Sequence, residues 1–95
     1  MFNYDLIYIV HPSVSDEELP SAITKVGEVI TRLGGSTAEV NQWGRKKLAF
    51  PIKKAVEGNY VFAKIELSPT RIKELDSTLK LSDNVLRYLL VRSNN

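Results

Sequence analysis

Short β-branched and aromatic runs alternate with two helical stripes in the order strand, helix, strand, strand, helix, strand. That order predicts an α+β fold, a four-stranded antiparallel sheet with two helices on one face. Three observations carry the prediction. Leu19, Ile23, Val26, Ile30 and Leu33 recur at spacings of four, three, four and three, which is one face of a helix. Ile72, Leu75 and Leu79 mark a second, shorter stripe. Turn and cap residues separate the runs at the required places.

Phe2 to Val10 is rich in aromatic and β-branched residues and is closed by Pro12, so it reads as a strand and a turn. Ser15 and Glu18 have the spacing of a capping box, and Asp16 and Glu17 suit the positive end of a helix dipole. Pro20 falls in the first turns, where a missing amide costs little, and Gly34-Gly35 supplies a left-handed stop. Ser36 to Trp43 is the second strand, followed by Gly44 and a basic stretch broken by Pro51. Glu57-Gly58-Asn59 reads as a turn before a third strand, Tyr60 to Leu67. Ser68 is expected as N-cap of the second helix with Pro69 at its first position. Ser82, Asp83 and Asn84 end that helix, and Val85 to Arg92 is the last strand. This is the split βαβ, or ferredoxin-like, plan, and right-handed crossovers put both helices on the same side. Residues 1–95 are read as one domain, since a chain this short buries only about two-thirds of its unfolded surface.

Composition narrows the function. Apolar residues at 43% and charged residues at 25% are globular values. Cysteine is absent, which excludes disulfide staples and thiolate metal sites. The longest apolar run near the N-terminus, Leu6 to Val10, is strand-length, so an intracellular soluble protein with no membrane partner is expected. The net charge is only +2, but Arg45, Lys46, Lys47, Lys53 and Lys54 fall within ten positions, and no acid lies between Val40 and Val56. A locally basic segment on a nearly neutral body suits a polyanionic partner, because neutralising phosphates releases counterions. Leu48, Phe50 and Ile52 interleave the charges with apolar side chains of the kind that anchor protein interfaces. A solvated hairpin with its charges spread apart fits the same residues.

Strand alternation assigns Leu6, Tyr8 and Val10, then Val61, Ala63, Ile65 and Leu67, then Leu86, Tyr88 and Leu90 to the helix side. The open face receives Asp5, Ile7 and Ile9, then Tyr60, Phe62, Lys64 and Glu66, then Arg87, Leu89 and Val91. That mixed face is either a contact surface or the bed of the basic hairpin. Gly58-Asn59-Tyr60-Val61-Phe62 is similar to the base-stacking strand of RNA-recognition motifs, although the first strand offers no matching motif. His11 has no second histidine or cysteine to share a metal, no nucleophile elbow accompanies it, and beside Pro12 it reads as a turn residue. Neither catalysis, nor a cofactor, nor a small-molecule substrate is expected.

The chain resembles the sixth protein of the bacterial small ribosomal subunit along nearly its whole length. The resemblance rests on Tyr4, on His11-Pro12, on the run Trp43-Gly44-Arg45-Lys46-Lys47-Leu48-Ala49-Phe50-Pro51-Ile52-Lys53-Lys54, on Gly58-Asn59-Tyr60 and on Asp83-Asn84-Val85-Leu86-Arg87. The family usually has two or more arginines where this chain has Arg45, Lys46 and Lys47, and often tyrosine in place of Phe50. Lysine keeps the charge and loses the bidentate fork. The resemblance implies a structural component of the subunit's central domain that binds small-subunit ribosomal RNA as a pair with the eighteenth small-subunit protein. It nominates Arg45, Lys46, Lys47, Lys53, Lys54, Arg87 and Arg92 for RNA. Leu48 and Phe50 are nominated for the protein partner, followed by Ile7, Ile9 and Leu89. Topology alone also admits a ligand-sensing module that pairs through its sheet edge, or a small phosphohydrolase. The latter requires an arginine in an anion loop, and His11-Pro12-Ser13-Val14-Ser15 contains none.

Overall fold

The computed structural model describes residues 2–52 and 54–93. Four strands, β1 (Phe2–Val10), β2 (Ser36–Ile52), β3 (Ala55–Leu67) and β4 (Val85–Arg92), form one antiparallel sheet in the order β2-β3-β1-β4. Helices α1 (Leu19–Arg32) and α2 (Ile72–Leu81) follow β1 and β3, giving the ferredoxin-like βαββαβ order. The apolar stripes of both helices meet the sheet over Leu6, Tyr8, Val10, Val61, Ile65 and Leu67, all at most 1% exposed. Each such side chain contributes about 1.5–3 kcal/mol by leaving water.

The serine identified from sequence closes the turn that leads into α1, whose own N-cap, Glu18, makes no side-chain cap bond. Ser15 Oγ accepts the Glu18 amide at 3.2 Å, and its hydroxyl donates to the Glu18 carboxylate at 3.1 Å. At the other end the Gly35 amide reaches Ile30 O at 2.9 Å and the Gly34 amide reaches Thr31 O at 3.0 Å. Gly34 has φ +86°, so the helix closes in a Schellman motif. The second helix starts differently from expectation. Pro69–Arg71 form a 3-10 turn before α2, and Ser68 Oγ bonds Thr70 Oγ1 at 2.9 Å without capping the backbone. The backbone alone closes this turn, through the Arg71 amide to Ser68 O at 2.9 Å.

Three further sequence readings are corrected by the register. First, β2 does not end at Trp43 but runs to Ile52, so the basic stretch belongs to the strand and forms an arm of a long β-hairpin. Second, Glu57-Gly58-Asn59 is not a turn but the interior of β3. A Cβ at Gly58 would overlap Ile9 Cγ2 and lie 3.2 Å from Val10 O, so the glycine serves close approach of two strands. Third, Leu86 is on the open face. Ile9 pairs with Arg87 and Val10 with Val85, so a bulge at Leu86 reverses the parity and sends Val85 into the helix-side core instead.

Candidate nucleic-acid and protein interface

The hairpin holds its shape because its turn end is packed back onto the sheet. Ile9, Ala55 and Leu86 are buried together, and Leu48, Ile52 and Tyr60 pack against them. This is a second, small apolar cluster on the sheet face away from the helices. In the outgoing arm the four residues 48–51 face only Val56, since Lys47 pairs with Glu57 and Ile52 with Ala55. Pro51 sits within that irregular stretch, where its missing donor breaks no ladder bond. The chain turns back through Lys54, whose φ is +67°. Leu48 and Ile52 are thus turned onto the sheet, while Phe50 stands 76% exposed.

The basic residues separate by face. Arg45 bonds Glu57 at 3.2 Å and reaches the Pro12 carbonyl at 3.4 Å, so it ties the hairpin base to the β1–α1 connection. Lys47 pairs with Glu57 across the ladder on that same side. Lys46 lies on the open face, with its Nζ 5.5 Å from the Trp43 ring centroid and 5.8 Å from that of Tyr60. Lys54 is exposed at the turn, and Lys53 lies outside the described residues. Arg87 is exposed in a row that crosses the open face through Ile9 and Tyr60. Arg92 lies at the opposite end of the sheet, paired with Tyr4 and stacked 3.7 Å over the Phe2 ring. The structure therefore gathers Lys46, Lys54 and Arg87 with the hairpin and sheet face, and it separates Arg92 from them.

The apolar candidates separate likewise. Phe50 and Leu89 are exposed, at 76% and 56%. Ile7 is half-buried between Phe62 and Leu89. Ile9 is only 8% exposed and is covered by the hairpin, so it belongs to the fold and not to the free surface. Trp43, to which the sequence assigns no role of its own, lies flat on Phe62 with ring centroids 5.4 Å apart and planes at 4°. A bulge puts it there, because Gln42 pairs with Val61 and Gly44, at φ +90°, pairs with Tyr60. The signal available in sequence is a glycine directly after an aromatic in a strand.

Among the described residues no group of three or more His, Cys, Asp or Glu is placed to hold a metal ion, and no helix is long and apolar enough to cross a membrane. His11 is a turn residue: its Nδ1 accepts the Ser13 amide at 3.0 Å and its amide donates to Asn84 O at 2.7 Å. Fold and surface together define a ferredoxin-like protein whose distinctive chemistry is a basic hairpin with an aromatic at its outer arm. The family model for ribosomal protein S6 matches residues 3–92, and the chain belongs to that family, the proteins of the small ribosomal subunit. It is 45% identical over 92 residues to the small ribosomal subunit protein bS6 of Clostridioides difficile, covering 96% of this chain and 98% of that protein. With bS6 of Moorella thermoacetica it shares 36% identity over 92 residues, covering 97% and 94%. The crystal structure of 30S ribosomal protein S6 from Thermotoga maritima superposes with a TM-score of 0.88 at 26% identity, covering 97% of this chain and 87% of that one.

Proposed function

We propose that the chain binds small-subunit ribosomal RNA of the central domain jointly with the eighteenth small-subunit protein, as a structural and assembly component without catalytic chemistry. Phe50 carries the reading: a large aromatic 76% in water, on a hairpin arm that also bears Lys47 and leads to Lys54, is a side chain in want of cover. In this assignment Phe50 anchors the protein partner, with Leu89 and Ile7 as a second apolar contact. Lys46, Lys47, Lys54 and Arg87 meet phosphates, and Lys53 joins them on sequence grounds. Arg45 positions the hairpin, and Leu48 holds the arm to the sheet. Arg92 serves a separate contact at the far end.

The test is a titration of a central-domain RNA fragment with the protein alone and with its partner. The pair is expected to bind well and the single protein weakly, and equal affinities would defeat joint recognition. Lys47→Ala with Lys54→Ala is expected to weaken binding across sequences and to flatten the salt slope by roughly one for each phosphate no longer neutralised. An unchanged slope would move the RNA surface elsewhere. Phe50→Ala is expected to lower affinity for the protein partner in calorimetry without RNA.

A further inference from the structure

We propose that Trp43, laid on Phe62 and topped by Lys46, is a seat on which one unpaired RNA base stacks while Lys46 meets the adjoining phosphate, in addition to the phosphate contacts of Lys47, Lys54 and Arg87. The inference rests on the reading that the protein binds RNA, and it adds a site that recognises single strands.

The geometry has three parts. The Trp43 and Phe62 rings are parallel within 4° and 5.4 Å apart, which makes a flat π surface and not an interdigitated core contact. Trp43 is 46% exposed, so that surface is open to a ligand. Lys46 Nζ hovers 5.5 Å and 5.8 Å from the Trp43 and Tyr60 centroids, and it takes part in no ion pair among the described residues. A base sliding onto the indole would displace the ammonium, which then meets the adjoining phosphate.

Charge decides between a base and an apolar peptide. The row Arg87–Ile9–Tyr60–Gly44 and the row Leu89–Ile7–Phe62–Asn41 contain no carboxylate. Acids begin only in the next row, with Asp5 and Glu39, the latter 3.9 Å from Lys64. An aliphatic segment laid over Trp43 would desolvate Lys46 without a counter-charge, which is costly. A nucleotide covers the ring and neutralises the cation together.

The chain has one tryptophan, so its fluorescence reports the seat directly. Titration with single-stranded hexaadenylate RNA is expected to quench it saturably, while a duplex of the same length does not. By anisotropy of the labelled hexamer, Trp43→Phe is expected to stay within about threefold of wild type and Trp43→Ala to lose roughly tenfold or more. Lys46→Ala is expected to raise the quench midpoint and to lower its dependence on salt. No quenching by the hexamer, or equal quenching by duplex, overturns the seat. So does a blue-shifted Trp43 emission on adding the protein partner alone with loss of hexamer quenching, since the face would then be a protein contact. These outcomes are independent of the central-domain fragment. Joint binding of that fragment without quenching removes only the seat, and quenching without joint binding removes only the assembly reading.

Discussion

Gly58 shows how one missing side chain positions an arm. Because a Cβ there would run into Ile9 and the Val10 carbonyl, Gly58→Ala must part β3 from β1 beneath the hairpin. The expected cost is about 1–3 kcal/mol in urea unfolding, the usual penalty of overpacking, and a loss under about 0.5 kcal/mol would show that the strands yield easily. Arg45 is the opposite case. Its ion pair with Glu57 is half exposed on both sides, at 41% and 39%. Arg45→Ala is therefore expected to cost less than about 1 kcal/mol in the same measurement, and a larger loss would make it a structural linchpin. Sequence does not rank these two residues. Glu57-Gly58-Asn59 has the composition of a turn, and only the register shows that the glycine answers to a neighbour on another strand. The serine at position 15 and the glycine at 34 are legible, because capping is a local matter of spacing and chirality.

At the scale of elements, the hairpin separates two residues that composition makes alike. Leu48 packs against the cluster of Ile9, Ala55 and Leu86, whereas Phe50 is 76% exposed. Leu48→Ala is expected to destabilise the protein by about 1–2 kcal/mol, since a half-buried leucine loses part of its burial term, while Phe50→Ala stays within about 0.5 kcal/mol of wild type. Reversed values from paired denaturation curves would mean that the arm lies on its other side. The α1 terminus gives a control: Gly34→Ala at φ +86° is expected to cost about 1 kcal/mol. The helices, β1 and the core half of β3 can be read from periodicity, because two faces in different solvents impose it. Bulges cannot. One added residue at Leu86, and another at Trp43, reverses a period-two pattern without changing any residue's character. Strict alternation therefore sends Leu86 to the wrong face, and a glycine after Trp43 reads as the end of β2. Of the interface, the residue types and the segment are legible in sequence, while their division between two faces is not.

For the whole molecule, the layered core makes a prediction in alkali. Burial beneath the helices pushes the Tyr8 phenol well above its ordinary value. Above about pH 10 the unfolded chain loses that proton while the folded chain keeps it, so the unfolded state is favoured as pH rises. Denaturation midpoints are expected to fall between about pH 9 and pH 11, and Tyr8→Phe is expected to reduce that fall; an identical fall in the variant would place its origin elsewhere. The two apolar clusters have a further bearing on assembly. One secures the helices, and the other pins the turn end of the hairpin, through Ile52 and Ala55, onto Ile9 and Leu86 of the sheet. A hairpin pinned at its turn meets its neighbour already in shape, so little freedom is lost on docking. Encounter should then be a single step whose rate grows in proportion to concentration, with no slower ordering phase behind it.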